Sequence, residues 1–239
     1  MASHPYDYSF ALKKEIQRKT LLVVLAFFLL CIVIQLITVF ILFPVRVQTS
    51  AMTPEYSENS LVFVVPYSPA HPLFFQRYHI QRGSVVYLKP LEDSDVSFVK
   101  KAANFLVEFF TFRQASIIKP ENEISGVPSL RRVVGLPGDT LYMKDYVLYV
   151  KPAGESHFLT EFEVADRMYE IATESTVHDY QIGVTGNVEE FTLAEDEYYL
   201  LADERVHSLD SRLYGPVRAD RISGKAILRY FPFDAFSAL

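Results

Sequence analysis

The chain has 239 residues, half of them hydrophobic, and a formal net charge of −6. That acidic balance argues against a nucleic-acid partner. The single cysteine, Cys31, excludes a framework of intrachain disulfides, so a folded domain here must rest on packing.

In chain order, residues 1–20 form a short tail carrying Lys13, Lys14, Arg18 and Lys19 against Asp7 and Glu15. The segment Leu21 to Phe43 (LLVVLAFFLLCIVIQLITVFILF) is then apolar and uncharged. As a helix it reaches about 34 Å, enough to cross a hydrocarbon core of about 30 Å. A buried core helix rarely has apolar residues on every face over such a length. A cleaved signal sequence has a shorter apolar core and a small-residue exit, whereas this segment leaves through Phe43-Pro44-Val45-Arg46. Arg46 is the only basic residue between the span and Arg77, so the basic flank predicts a cytoplasmic N-terminus and residues 44–239 outside. The lipid bilayer is thus the first expected partner, with the chain a single-pass protein.

Beyond the span, short apolar or alternating runs separated by turn residues predict a mainly β fold. They are Leu61–Val65, Val85–Leu88, Thr140–Met143, Tyr146–Val150, Tyr198–Leu201 and Ala226–Tyr230. One stretch, 95–113, has helical spacing instead. Its apolar stripe is Val99, Ala102, Ala103, Leu106, Phe109 and Phe110, widened by Phe98, Phe105 and Phe112. Lys100, Lys101, Asn104, Glu108 and Thr111 lie opposite. The pattern fits a helix packed on the sheet, and it also fits a helix lying in a membrane interface, where His71-Pro72-Leu73-Phe74-Phe75 would join it. From about 144 to 195 the chain is richer in acidic and polar residues, which suggests a smaller β-subdomain inserted into the main one. None of His4, His71, His79, His157, His178 and His207 is spaced as a metal ligand from another His or from Cys31, and no phosphate-cradling Gly-rich loop is present. No metal or cofactor is expected.

Three stretches concentrate unusual residues: Thr49-Ser50-Ala51-Met52-Thr53-Pro54, Arg131 through Asp139 (RRVVGLPGD) and Asp203 through Gly215 (DERVHSLDSRLYG). Following an N-terminal anchor and in this order, they resemble the boxes of the bacterial type I signal peptidases. The second resembles K-R-x-x-G-L-P-G-D and the third G-D-N-R-x-x-S-x-D-S-R-x-x-G. Arg82-Gly83-Ser84 is similar to that family's R-G-D box, with Ser84 for Asp. The resemblance covers nearly the whole chain. It implies an antiparallel β-sheet domain of the catalytic type, held outside the cytoplasmic (inner) membrane by one transmembrane helix. Its implied partners are the signal peptides of secreted preproteins, together with a secretion-machinery partner that the sequence does not identify.

That family hydrolyses peptides with a serine nucleophile and a neutral lysine base. The serine immediately precedes the methionine of the first box, and Ala51 stands there. The lysine lies four residues before the glycine of GLPGD, and Arg131 stands there. Alanine has no nucleophile, and arginine stays protonated. By the same resemblance Thr49 matches the oxyanion hydroxyl, beside the backbone of Ala51, and Ser208 the hydroxyl that positions the base. Asp210 and Arg212 match a bracing ion pair, and Asp203 and Arg205 the D-N-R, with Glu204 for Asn. Met52 and Pro54 complete the first box, Met52 reading as a packing residue. Gly135, Pro137 and Gly138 read as a tight turn.

A relocated nucleophile at Thr49 or Ser50 is the rival reading. In an extended segment Ser50 would point away from the side on which Ala51 points. No lysine lies between Lys119 and Lys144 to serve as base. The sequence thus predicts a signal peptidase homologue that has lost hydrolysis and keeps a peptide groove, against an active enzyme of unconventional arrangement. A plain structural β-domain on an anchor is the third reading.

Overall fold

The structure, a computed structural model, describes residues 5–67, 80–88, 97–111, 117, 129–173, 184–233 and 236–238. His4, His178, the segment from His71 to Phe75, His79, and positions 95, 96, 112 and 113 of the expected helix lie outside them. The chain divides into two units, Met1–Ile41 and Leu42–Leu239.

The first unit is one helix, α1 (Pro5–Phe40). Within it Leu12–Ile37 is long and apolar enough to cross a membrane. Between Leu12 and Ile37 its leucines, valines and phenylalanines are exposed all round, as on a helix meant for lipid rather than water. The apolar run itself does not stop at Phe40. What changes is Pro44, which disfavours helical backbone at the residue before it, and Phe43 opens a strand.

In the second unit the described strands form two antiparallel sheets. The larger comprises β1 (Phe43–Arg46), β2 (Leu61–Pro66), β3 (Val85–Leu88), β4 (Ser129–Gly135), β9 (Glu197–Leu201), β10 (Val217–Arg218), β11 (Ile222–Phe231) and β12 (Ser237–Ala238). Its order is β1-β2-β11-β3-β4-β9-β10, with β12 added beside β11. The smaller sheet has the order β7-β6-β5-β8, from β5 (Thr140–Lys144), β6 (Val147–Lys151), β7 (Leu159–Thr160) and β8 (Val188–Thr192). It begins four residues before the polar region read from composition, because β5 is apolar on one face. The β5–β6 hairpin turns on Asp145 and Tyr146, both at positive φ, the conformation that two-residue hairpin loops require.

Alternation explains how the larger sheet buries both faces. Val85 joins Phe43, Val62, Val64 and Leu130 on one side, while its neighbour Val86 joins Leu88, Val133, Leu200 and Ile222 on the other. A third cluster welds the two sheets: Val134, Tyr199 and Leu201 from the larger pack with Leu141, Met143, Leu148 and Val150 from the smaller. Gly135 sits at this seam. A Cβ there would lie 2.7 Å from Leu141 Cδ1 and 2.9 Å from both Leu193 Cδ1 and Tyr199 Cβ. Within the larger sheet β4 lies between β3 and β9, and its alternation sends the two neighbouring arginines of the second box to opposite faces.

The helical stretch is α2 (Phe98–Phe110), in the insertion between β3 and β4. Two single-turn helices follow, α3 (Glu161–Val164) and α4 (Ser211–Tyr214).

Candidate functional site

The first box folds as a 3₁₀ turn over Ser50–Met52, entered from an extended Thr49 at φ −134°. The Thr53 N–H and hydroxyl both donate to the Ser50 carbonyl, at 3.0 and 2.9 Å. Met52 and Tyr56 are buried in the core, which fixes the turn from below, as the packing role read for Met52 requires. Pro54 is exposed. This corrects the extended segment assumed from sequence. In a 3₁₀ turn successive side chains step by about 120°, so Ser50 does not simply oppose Ala51. Ala51 is buried, and its carbonyl accepts from the Glu204 N–H at 3.0 Å, which staples the first box to the third. Thr49 and Ser50 are exposed.

The turn packs beside β4, where Arg131 and Arg132 diverge. Arg131 is buried. Its Nε and Nη2 donate to the Leu209 carbonyl at 3.0 and 2.6 Å, and its Nη1 donates to the Leu130 carbonyl at 2.6 Å. Burial pushes the Tyr214 phenol up, and the Arg131 charge opposes that shift. Among the described residues no carboxylate comes within ion-pair range of Arg131. The Asp210 carboxylate is occupied elsewhere. It accepts from Arg212 Nε and Nη2, both at 2.8 Å, and from the Arg212 and Ala202 N–H groups. Arg212 Nη1 in turn donates to the Arg205 carbonyl at 2.6 Å. The pair read as a brace in the sequence is a buried brace across the third box.

The Ser208 hydroxyl donates to Glu204 Oε2 at 2.8 Å. The same carboxylate accepts the N–H groups of Val206 and His207, and His207 Nδ1 lies 3.5 Å from it. Glu204 thus closes the 204–208 turn on itself.

Asp203 and Arg205 do not pair with each other. Asp203 receives Arg132 Nε and Nη2 at 2.7 and 2.5 Å, and Arg132 also reaches Glu55 Oε2 at 2.5 Å and the Gly83 carbonyl at 2.7 Å. The guanidinium stacks 4.1 Å over the Tyr169 ring. Arg205 pairs with Glu161 Oε2 at 2.7 Å, where the Tyr169 hydroxyl also donates at 2.7 Å. Burial pushes the Tyr56 and Tyr169 phenols well above the ordinary tyrosine range. Arg82, from the R-G-D-like box, grips Asp139 of GLPGD, which also accepts from the Leu136 and Ala153 N–H groups. Glu55, Glu161 and Tyr169 escaped the sequence reading. Arg132 was visible beside Arg131, yet nothing in its spacing named its partners.

The arrangement offers guanidinium donors and carbonyl acceptors beside a buried Ala51. Arg131 donates to backbone carbonyls, which are neutral, and the hydroxyls of the first box are those of Thr49, Ser50 and Thr53.

The family model for signal peptidase, peptidase S26, matches residues 20–231. Signal peptidase I T of Bacillus subtilis (strain 168) is 28% identical over 163 residues, covering 67% of this chain and 76% of that protein. Signal peptidase I P of Bacillus subtilis subsp. natto is 29% identical over 176 residues, covering 73% and 84%. Signal peptidase I of Bacillus licheniformis is 27% identical over 147 residues, covering 60% and 71%. One N-terminal helix fit to cross a bilayer precedes a mainly β domain, the layout of a single-pass membrane protein. The match runs from the apolar helix to the end of β11, and on that extent the chain belongs to the signal peptidase family, peptidase S26.

Proposed function

We propose that this chain serves signal-peptide processing of secreted preproteins at the cytoplasmic membrane of a bacterium by binding signal peptides without hydrolysing them. Its N-terminus lies in the cytoplasm and its β-domain outside, as the basic flank before the span argues. The observation that carries the loss of hydrolysis is the placement of Arg131. Its guanidinium is held on the Leu209 and Leu130 carbonyls, with Ser208 committed to Glu204. A serine-type cleavage needs a hydroxyl and a group able to take its proton. At the positions that supply these in the resemblance stand a methyl group and a permanent cation. Loss of such a nucleophile alone removes on the order of a million-fold in rate in subtilisin.

Incubating the detergent-solubilised full chain with a signal-peptide substrate tests this. The expected result is saturable binding with no cleavage product. Cleavage at the boundary between signal and mature sequence would overturn it and would direct attention to Thr49 and Ser50. Absence of both binding and cleavage would favour a purely structural domain.

A further inference from the structure

Helix α2 is inverted for a helix on a water-soluble domain. The side turned toward protein carries Asn104, Ala103 and Val107, and Asn104 Oδ1 accepts the Ile117 N–H at 2.6 Å. The large apolar residues face out: Phe98 is 84% exposed, Val99 74%, Phe105 66% and Leu106 55%. Four such side chains on one helix face form a patch that water-soluble surfaces avoid. The packed-helix expectation from sequence accounted for the period of the apolar stripe but not for its direction.

Strand register shows where in the domain this helix is rooted. Phe43 of β1 pairs with Val64, and Val64 pairs with Ala226. Two residues on, Pro66 pairs with Gly224, and Ile222 pairs with Leu88, which pairs with Ser129. The start of β1, the end of β3 and the start of β4 therefore share one end of the larger sheet. The insertion 89–128, which contains α2, leaves and returns at the same end by which the chain enters the domain. Along the chain only Ile41 and Leu42 lie between Phe40 of α1 and Phe43.

We propose that α2 is an interfacial membrane helix, whose Phe98, Val99, Phe105 and Leu106 face enters the acyl boundary of the bilayer that α1 crosses. The occupant of the apolar face is thus a lipid surface. Two observations select it. The chain carries its own bilayer anchor, joined by two residues to the sheet end that bears the insertion. In addition, Lys100 and Lys101 are exposed on the polar side of the helix, Lys101 at the flank of the apolar face, and the first turn of α2 has no acidic residue. Lysine stems lie along apolar surface while the ammonium groups reach the headgroup phosphates, the composition of helices that lie in an interface. The proposal does not depend on whether the chain cleaves peptides.

The test uses the full chain reconstituted in vesicles of phosphatidylethanolamine and phosphatidylglycerol, with Cys31→Ala as background. Nitroxide labels are placed singly through Phe98→Cys, Leu106→Cys and Lys100→Cys, and collision with oxygen is compared with collision with a water-soluble nickel chelate. Labels at 98 and 106 are expected to favour oxygen several-fold, and the label at 100 to favour nickel. Nickel accessibility at 98 and 106 equal to that at 100 would overturn the proposal, since the face would be in water. Protection of 98 and 106 from both reagents would overturn it equally, since the face would be covered by protein. All three sites are exposed on the helix surface, so the substitutions leave the core untouched. Circular dichroism matching that of the background protein verifies the fold.

Discussion

Arg132 holds Asp203 through two parallel N–H···O bonds of 2.7 and 2.5 Å, with both side chains buried. The pair ties the centre of β4 to the start of the third box. Glu55 adds a third contact from the segment that follows the 3₁₀ turn, so one guanidinium organises all three boxes. Asp203→Asn leaves that buried cation with only Glu55 as counter-charge. Breaking a buried pair on one side costs about 3–5 kcal/mol. Urea unfolding of Asp203→Asn should therefore show a loss of that order, with a smaller loss for Arg132→Met combined with Asp203→Leu. A loss below about 1 kcal/mol would mean that Glu55 alone satisfies the guanidinium.

Two glycines of the GLPGD turn should answer substitution in different ways. Gly135 is confined by its neighbours, with three atoms within 2.9 Å of the place a Cβ would occupy. Gly138 has space, its nearest neighbour there being Ala153 Cβ at 3.3 Å, but its φ is +82°. Asparagine tolerates the left-handed region better than alanine does. Gly138→Asn should therefore be milder than Gly138→Ala, which costs about 1–2 kcal/mol. At Gly135 both substitutions overpack the seam between the sheets, at about 1–3 kcal/mol or more. Thermal melts of the four variants separate the two causes, and equal behaviour at both positions would defeat the distinction.

The β-class of the domain was legible because half-buried strands alternate. Val85–Leu88 is a strand with the bounds read from sequence, and Leu61–Pro66 and Glu197–Leu201 differ by a residue. The junction at Phe43 was not legible from hydrophobicity, since the apolar run continues from α1 into β1 and only Pro44 marks the change. The Ser50–Met52 turn has no periodicity to read and was taken as extended. Helical spacing identified the apolar stripe of α2 but carries no information on which side meets protein. Local boxes drew attention to Asp203, Arg205, Asp210 and Arg212. Only Asp210 and Arg212, two residues apart, turned out to be each other's partners, because α4 brings them together. Arg205 finds Glu161, 44 residues away in α3, a separation no motif spans.

Buried phenols give the domain an alkaline limit. Tyr198 is pushed up to about 12, by burial first and then by Tyr67 beside it. Tyr56, Tyr169, Tyr199 and Tyr214 are also raised, with burial the leading cause in each. The unfolded chain releases these protons near pH 10 and the folded chain holds them longer. Their contribution to stability is therefore complete below pH 10 and is lost as pH rises through the folded values. An absorbance titration should show part of the 15 tyrosines ionising late and cooperatively, together with unfolding. The urea midpoint should fall steadily above pH 10. Simple titration of every phenol near pH 10 in a protein that stays folded would contradict this.

Restoring Ala51→Ser and Arg131→Lys should not by itself rebuild an efficient peptidase, because Ser208 is committed to Glu204. A base lysine must be neutral, and a lysine drawn to the Ser208 hydroxyl would stand one hydrogen bond from the Glu204 carboxylate, which favours its charged form. Glu204 therefore opposes the restored pair twice, by holding the hydroxyl that should position the lysine and by raising the lysine pKa. Adding Glu204→Asn removes the charge, and the backbone N–H that binds the Ala51 carbonyl stays in place. Hydrogen bonds to charged groups contribute about 1.5–3 kcal/mol, equivalent to roughly 10–100-fold in rate. The triple variant should cleave a signal-peptide substrate faster than the double variant by that factor and reach its maximum at lower pH. The decisive measurement is the rate against pH for both variants. Equal rates and equal pH profiles would show that Glu204 does not limit the double variant.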